Sequence, residues 1–494
     1  MATTDSPAPE PALTLEPTPV GRPVADSLAG GTLGAAHLVF MVMAAVAPAA
    51  GAVALIPLSI ALGVGVGTPG IFVVVALILL LFAVGFTRMV PYVRNAGAFY
   101  AFITRGLGGL AGLPAAYVAL TAYLCVGTAT LGALGYFANV TIDRFFGIDV
   151  PWWLCCAVAM VIVGLLGYLR ITVAAGVLGA ALLAEALAVL VLDVGILFQK
   201  GAGAFTLQSF APSHVLAGSV GVGLIYGFSC FQGFEGTAIY AEEARDPDRT
   251  VPRATYGAVL LVGLFFVLTT WALIAGGGGE GAPAAALADP GNFAFGLSDT
   301  FVGHAWTDLL QVLIVTSSFA GVLAFHNAAS RYLYALSRDG FMPRVLARTH
   351  PRHRSPTVAG YTSFAVMTGI MVGFAVAGLD PLTNLSTSLT GVGAVGILGL
   401  ITATSLAVLI FFLRRRQYGW GYTVAPALAT LGVGAATVLA LSNYEAITGT
   451  TSTLINSLPW LHLVVIVAAL AIGLWARSRR PARYAAMGAT RIAE

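Results

Sequence analysis

The chain has 494 residues, of which 58% are hydrophobic and 9% charged, with a mean hydropathy of +0.90 and a formal net charge of +3. A soluble protein carries about 25% charged residues, so most of this chain belongs in lipid. The small net charge, with no basic patch interleaved with aromatics, excludes nucleic acid as a partner.

Residues 1–30 are rich in proline (Pro7, Pro9, Pro11, Pro17, Pro19, Pro23) and lack the apolar core of a signal peptide. They are predicted to be a disordered cytoplasmic tail. A bilayer core of about 30 Å needs roughly 20 apolar residues per helix. Twelve runs meet that length, near 33–60, 69–90, 110–139, 151–169, 173–198, 216–240, 254–276, 305–336, 358–378, 388–413, 422–442 and 458–476. They are numbered below as spans 1 to 12. Residues 97–109 read as a short amphipathic helix lying at the membrane surface. The four cysteines, Cys125, Cys155, Cys156 and Cys230, fall inside apolar runs without metal-ligand spacing and read as reduced apolar fillers.

Basic residues fix the orientation. With the N-terminus inside, alternation leaves only Arg144 and Lys200 of the 24 basic residues on the outer side. The expectation is a multi-pass plasma-membrane protein with both termini cytoplasmic. The single lysine among those basic residues suits a high-GC bacterial genome, and hence a bacterial cell membrane.

Spans 1 and 6 share a peculiarity. Span 1 carries Ala47-Pro48-Ala49-Ala50-Gly51 in mid-run, and span 6 carries Gly227, Gly233 and Gly236. They lie five spans apart, so spans 1–5 and 6–10 form two inverted halves. A matched pair of Gly/Pro-interrupted segments is the best sequence pointer to a transport site. An unbroken helix satisfies its own backbone and offers a ligand nothing polar. A break frees N–H groups on one half-helix and C=O groups on the other. The first can hold a carboxylate and the second an ammonium group or a cation. Two facing breaks suit a zwitterion such as an amino acid.

Two acidic residues lie inside spans. An ionised group at the bilayer centre costs about 2.5–3.5 kcal/mol on insertion scales, so such residues pair or do work. Glu235 follows the span 6 break; it holds the unwound backbone, meets a substrate amine or carries a proton. Glu185, in span 5, is a proton site or a carboxyl bonded to a neighbouring helix. Asp193, nearer the end of the same span, reads as interfacial. Span 8 offers Thr316, Ser317 and Ser318, whose hydroxyls ligate a cation or glue helices, and His326, a core histidine.

Three stretches resemble a known family: FEGTAIYAEEARDPDRTVPRA at 234–254, NAGAFYAF at 95–102, and SRYLYALSRDGFMPRVLARTHPR at 330–352 with SPT at 355–357. They are similar to the amino acid–polyamine–organocation permeases, over roughly residues 30–475. The resemblance implies an all-α integral membrane protein of twelve transmembrane helices. It has an inverted 5+5 repeat, broken spans 1 and 6, and two C-terminal helices. The substrate site then lies between the two unwound parts. Carried over by position, Ala47, Pro48, Ala49, Ala50 and Gly51 face the substrate carboxylate. Phe228, Ser229, Cys230 and Phe231 supply carbonyls and walls, and Phe234 is an aromatic lid. Two departures stand out. The usual Gly-Ser/Ala-Gly of the span 1 break is replaced by Ala47–Gly51, and the span 5 lysine of many proton-coupled members has Glu185 as its closest match.

The expected domain plan is a tail at 1–30, a transporter domain at 31–477 and a cytoplasmic tail at 478–494. Within the domain, repeat one covers about 33–198, repeat two about 216–413, and spans 11–12 about 422–476. The expected function is proton-coupled import of an amino acid or related amine by alternating access. Its partners are the small-molecule substrate, the proton and the lipid bilayer. Alternatives are sodium coupling at Thr316, Ser317 and Ser318, exchange of polyamines or organocations, and a non-transporting nutrient sensor. No cofactor or metal is implied. Neither HExxH nor GxSxG occurs and the seven histidines are scattered, so an enzyme is not expected.

Overall fold

The computed structural model describes residues 34–35, 38–39, 46–93, 98–169, 175–235, 246–349, 356–448, 450–481 and 484. The expected tail at 1–30, the start of span 1, Asn95–Gly97, the stretch Gly236–Arg245 and most of 478–494 lie outside the described residues.

The regular structure is helical. The helices that matter here are α1 (Pro48–Leu62), α2 (Thr68–Met89), α3 (Ala98–Leu107), α4 (Gly109–Phe146), α5 (Trp152–Leu169) and α6 (Ala175–Lys200). They continue with α7 (Val220–Cys230), α8 (Pro247–Gly276), α9 (Phe293–Phe301), α10 (His304–Arg338) and α11 (Thr357–Val376). The last three are α12 (Thr387–Arg414), α13 (Ala425–Ser442) and α14 (Leu461–Arg479). Among the described residues, eight helices are long and apolar enough to cross a membrane, and α1, α7 and part of α5 are shorter apolar helices.

Local chemistry sets the boundaries. Gly108 at φ +94° separates α3 from α4, and Gly147 at φ +64° ends α4 with its N–H on the Asp143 carbonyl at 2.7 Å. Both positions need the left-handed freedom of glycine. Asp380 caps the π turn leading into α12, accepting from the backbone N–H of Leu382 at 2.9 Å and Thr383 at 2.6 Å.

The bundle is turned apolar side out. Leu77, Val161, Leu165, Leu264, Leu431 and Val464 are exposed, while Phe72, Phe82, Phe137 and Phe412 are fully buried. An apolar exterior on this scale is a lipid-facing surface. α4 packs along α10 and α12 at the centre. Small residues permit the close approach: a Cβ on Gly132 would meet the Pro381 carbonyl at 2.8 Å.

α4 spans 38 residues, about 57 Å at 1.5 Å per residue, so its two ends lie on opposite faces. Arg144, at its far end, joins Asp299 and Asp308, and nearby Lys200 lies over the Phe301 ring at 5.7 Å. At the near end, Arg414 donates to the Gly106 carbonyl at 3.1 Å and Arg415 sits over the Tyr92 ring at 4.6 Å. Charge therefore caps both ends.

Three expectations need correction. The helix expected at 97–109 is found as α3 and does not lie on the surface: Phe99, Phe102 and Ile103 are buried, with Phe102 stacked on Phe86 at 4.5 Å. The amphipathic face is satisfied by the bundle rather than by lipid. The stretch 242–253 after span 6, whose density of charges reads as a cytoplasmic loop, is not loop throughout, because α8 begins at Pro247 and runs through Pro252. Pro247 opens the helix, where its missing N–H has no partner to lose, whereas Pro252 lies inside it and forgoes one backbone bond. Asp193 is not interfacial. It is 8% exposed and accepts a hydrogen bond from the Thr269 hydroxyl of α8 at 2.7 Å.

Candidate substrate and coupling site

The span 1 break is a backbone event at Ala47, which adopts φ +50°, ψ +73° immediately before Pro48. Left-handed geometry costs a non-glycine residue about 1–2 kcal/mol. Pro48 has no N–H to continue a helix across the break. From Pro48 the chain turns helical again, and Gly51–Leu55 form a widened π turn. The amides at this N-terminus lie deep in the bundle, with Pro48, Ala49 and Gly51 buried and Ala50 half-buried.

The span 6 break follows Cys230. α7 stops there, and residues 231–235 form successive turns, with Phe231 N–H on Phe228 O, Gln232 N–H on Ser229 O and Phe234 N–H on Phe231 O at 3.1–3.2 Å. Gly233 sits at φ +109°, a conformation that only glycine adopts cheaply. Glu235 braces this turn. Its Oε2 accepts the Gly233 N–H at 2.9 Å, and its Oε1 accepts the Tyr123 hydroxyl of α4 at 3.2 Å.

The two breaks adjoin. A Cβ placed on Gly51 would stand 3.6 Å from Cys230 Sγ and 2.6 Å from the Phe266 ring of α8. Phe266 in turn meets Phe231 edge-on at 6.3 Å. Gly51, Cys230, Phe231 and Phe266 therefore form one contiguous wall. Phe234 belongs to a neighbouring aromatic group, meeting Phe82 edge-to-face at 5.8 Å. Phe228 is buried, and the Ser229 hydroxyl returns to the Ile225 carbonyl at 2.7 Å while the Ser229 carbonyl accepts the Gln232 N–H.

Glu185 completes the junction. It is 2% exposed, and its carboxyl lies against the Ala49 amide of the span 1 break and the Ser317 hydroxyl of α10. Glu185 Oε2 and Ser317 Oγ have no hydrogen-bond partner among the described residues. A carboxyl at the positive end of a half-helix, with an unsatisfied hydroxyl beside it, is built to hold a proton or a cation. The expected triplet in span 8 is divided, however. Ser317 and Ser318 are buried, whereas Thr316 is exposed and its hydroxyl is taken by the Leu313 carbonyl at 2.9 Å. Consecutive residues on an α-helix point 100° apart, so three in a row cannot face one site.

Sequence reasoning missed Tyr123 and Phe266. Neither carries a local signal, since each is an ordinary aromatic inside an apolar run. It also missed Tyr226, fully buried in α7 with its hydroxyl unpartnered among the described residues.

The pattern of the family described as amino acid permease matches residues 33–481. This chain belongs to that family, within the amino acid–polyamine–organocation superfamily. The permease is thus a membrane transporter and not an enzyme. It is 26% identical to the branched-chain amino acid permease BcaP of Bacillus subtilis, over 70% of this chain and 73% of the relative. It is 27% identical to the low-affinity putrescine importer PlaP of Escherichia coli, over 32% of this chain and 35% of the relative. A crystal structure of a mutant manganese transporter of Eremococcus coleocola shares the fold. The TM-score is 0.51 at 15% identity, covering 89% of this chain and 94% of that one.

Proposed function

We propose that this permease imports an amino acid or related amine across the plasma membrane by alternating access, coupled to protons. The observation that carries the reading is the junction of the two breaks, where the Ala49 amide, Glu185 and Ser317 meet beside the wall of Gly51, Cys230 and Phe231. The substrate's charged end is held by backbone groups at Ala47–Gly51 and Phe228–Phe231, and its side chain lies against Phe231 and Phe234. Glu185 carries the proton, and Glu235 acts as a structural brace. The Ala, Phe and Cys lining favours an apolar or neutral side chain, in keeping with a relative named for branched-chain amino acids.

The architecture that goes with this reading has twelve spans and both termini in the cytoplasm. Inverted halves cover about 33–198 and 216–413, spans 11–12 cover about 422–476, and cytoplasmic tails lie at 1–30 and 478–494. Spans 1 and 6 rock against a scaffold of spans 3–5 and 8–10.

The test is uptake of labelled amino acids and putrescine into proteoliposomes under an imposed proton gradient. Wild-type protein accumulates substrate, and Glu185→Gln retains exchange but loses gradient-driven accumulation. No uptake of any amino acid or amine sinks the proposal. A second reading, sodium held by Glu185, Ser317 and Ser318, is favoured by the unpartnered Ser317 hydroxyl. It predicts uptake that requires sodium and is indifferent to the proton gradient.

A further inference from the structure

We propose that the cleft between the turn at 339–343 and α14 is a binding site for an anionic phospholipid. This proposal rests only on the chain being embedded in a membrane, not on the coupling assigned above. The cavity measures about 520 Å³, inside the range of roughly 300–1,000 Å³ typical of ligand sites. Among the described residues its walls are mostly apolar, with Phe341 and Met342 on one side and Ile472 and Trp475 on the other. Arg480 stands at one end, its guanidinium over the Trp475 ring at 4.9 Å.

The cleft is built, not accidental. The turn that forms one wall is locked by Gly340 at φ +81°, by Phe341 N–H on the Leu336 carbonyl at 2.9 Å, and by the Tyr117 hydroxyl on the Phe341 carbonyl at 2.5 Å. The opposite wall is the last turns of α14, whose outward residues Val464, Val467 and Leu474 are exposed to lipid. A chain from the bilayer therefore reaches Ile472 and Trp475 sideways, without leaving an apolar environment.

Charge decides which lipid. Arg480 has no carboxylate partner among the described residues, and Arg477 and Arg479 flank it on the same helix end. Basic residues clustered where a helix leaves the membrane recruit anionic head groups. Asp339 also lines the cleft, but its carboxylate turns to Arg338 Nε at 3.6 Å. Free phosphate alone leaves the apolar walls uncovered, and a zwitterionic lipid offers Arg480 no net charge.

The test is native mass spectrometry of the full chain in detergent supplemented with phosphatidylglycerol or phosphatidylcholine. Melting temperature is recorded for each variant as a check on folding. Wild-type protein should retain one phosphatidylglycerol in preference to phosphatidylcholine. Arg480→Gln should weaken that retention about fivefold, the worth of one arginine at an anionic surface. Ala471→Trp, at an exposed position lining the cleft, and Met342→Trp, on the facing wall, should each abolish it. Equal retention of the two lipids, or full retention in a folded variant, overturns the proposal. So does displacement of phosphatidylglycerol by equimolar inorganic phosphate.

Discussion

Replacing Glu235 by alanine separates a brace from a working carboxyl. Glu235 is 3% exposed and accepts two hydrogen bonds, from Gly233 N–H at 2.9 Å and from the Tyr123 hydroxyl at 3.2 Å. Alanine strands both donors in a dry interior. A stranded buried donor costs about 1–3 kcal/mol, so the pair costs about 2–6 kcal/mol. Relief of the carboxyl's own desolvation offsets part of this. Glutamine keeps one acceptor oxygen but points an NH2 group at the second donor, so its loss is intermediate. Tyr123→Phe removes one bond and leaves Glu235 Oε1 without its donor, a loss of about 1–3 kcal/mol. Melting temperature in detergent should therefore fall in the order wild type, Tyr123→Phe, Glu235→Gln, Glu235→Ala, with uptake declining in step. If Glu235→Ala melts like wild type while uptake is abolished, Glu235 acts on substrate or proton and the brace is wrong.

Three further predictions concern the breaks and the far end of the bundle. Gly51→Ala drives a Cβ to 2.6 Å from a Phe266 ring already confined by Phe265 at 5.2 Å and Phe72 at 5.9 Å. Overpacking of this kind costs about 1–3 kcal/mol. Adding Phe266→Leu should recover much of the lost melting temperature, and no recovery refutes the contact. Ala47→Gly removes about 1–2 kcal/mol of left-handed strain and adds about 0.5–1 kcal/mol of chain entropy. It should melt at or slightly above wild type, while Ala47→Val should melt lower; equal melting of the two means that Ala47 is not held left-handed. At the far end, burial opposes ionisation of Asp299, but hydrogen bonds from Arg144 and His304 outweigh it and hold the carboxyl below its usual value. Its contribution is present above the ordinary aspartate pKa of about 3.9 and is lost as pH falls through the lower folded value. Asp299→Asn should flatten the acid limb of the pH–stability curve, and an unchanged limb refutes the assignment.

That the chain is a series of apolar helices was readable because partition into lipid depends on local composition. The breaks were readable for a similar reason. Proline lacks an N–H and glycine alone adopts positive φ cheaply, so Pro48 and Gly233 allow the interruptions found there, whereas Gly227 lies inside helical α7. The spread of Thr316, Ser317 and Ser318 around α10 follows from helical periodicity and needed no structure. The docking of α3 and the burial of Asp193 were not legible, because an amphipathic face or a carboxyl near a helix end suits lipid headgroups and a protein groove equally well.

The sequence by itself determined that this is a membrane protein of many helices, two of them broken, and that acidic groups lie among them. Only the tertiary structure decided what those groups meet. Glu235 finds Tyr123 across 112 positions of chain, and Glu185 finds Ala49 and Ser317 on two other helices. Backbone breaks are properties of neighbouring residues, whereas a buried carboxyl takes its role from whichever donors packing brings within reach.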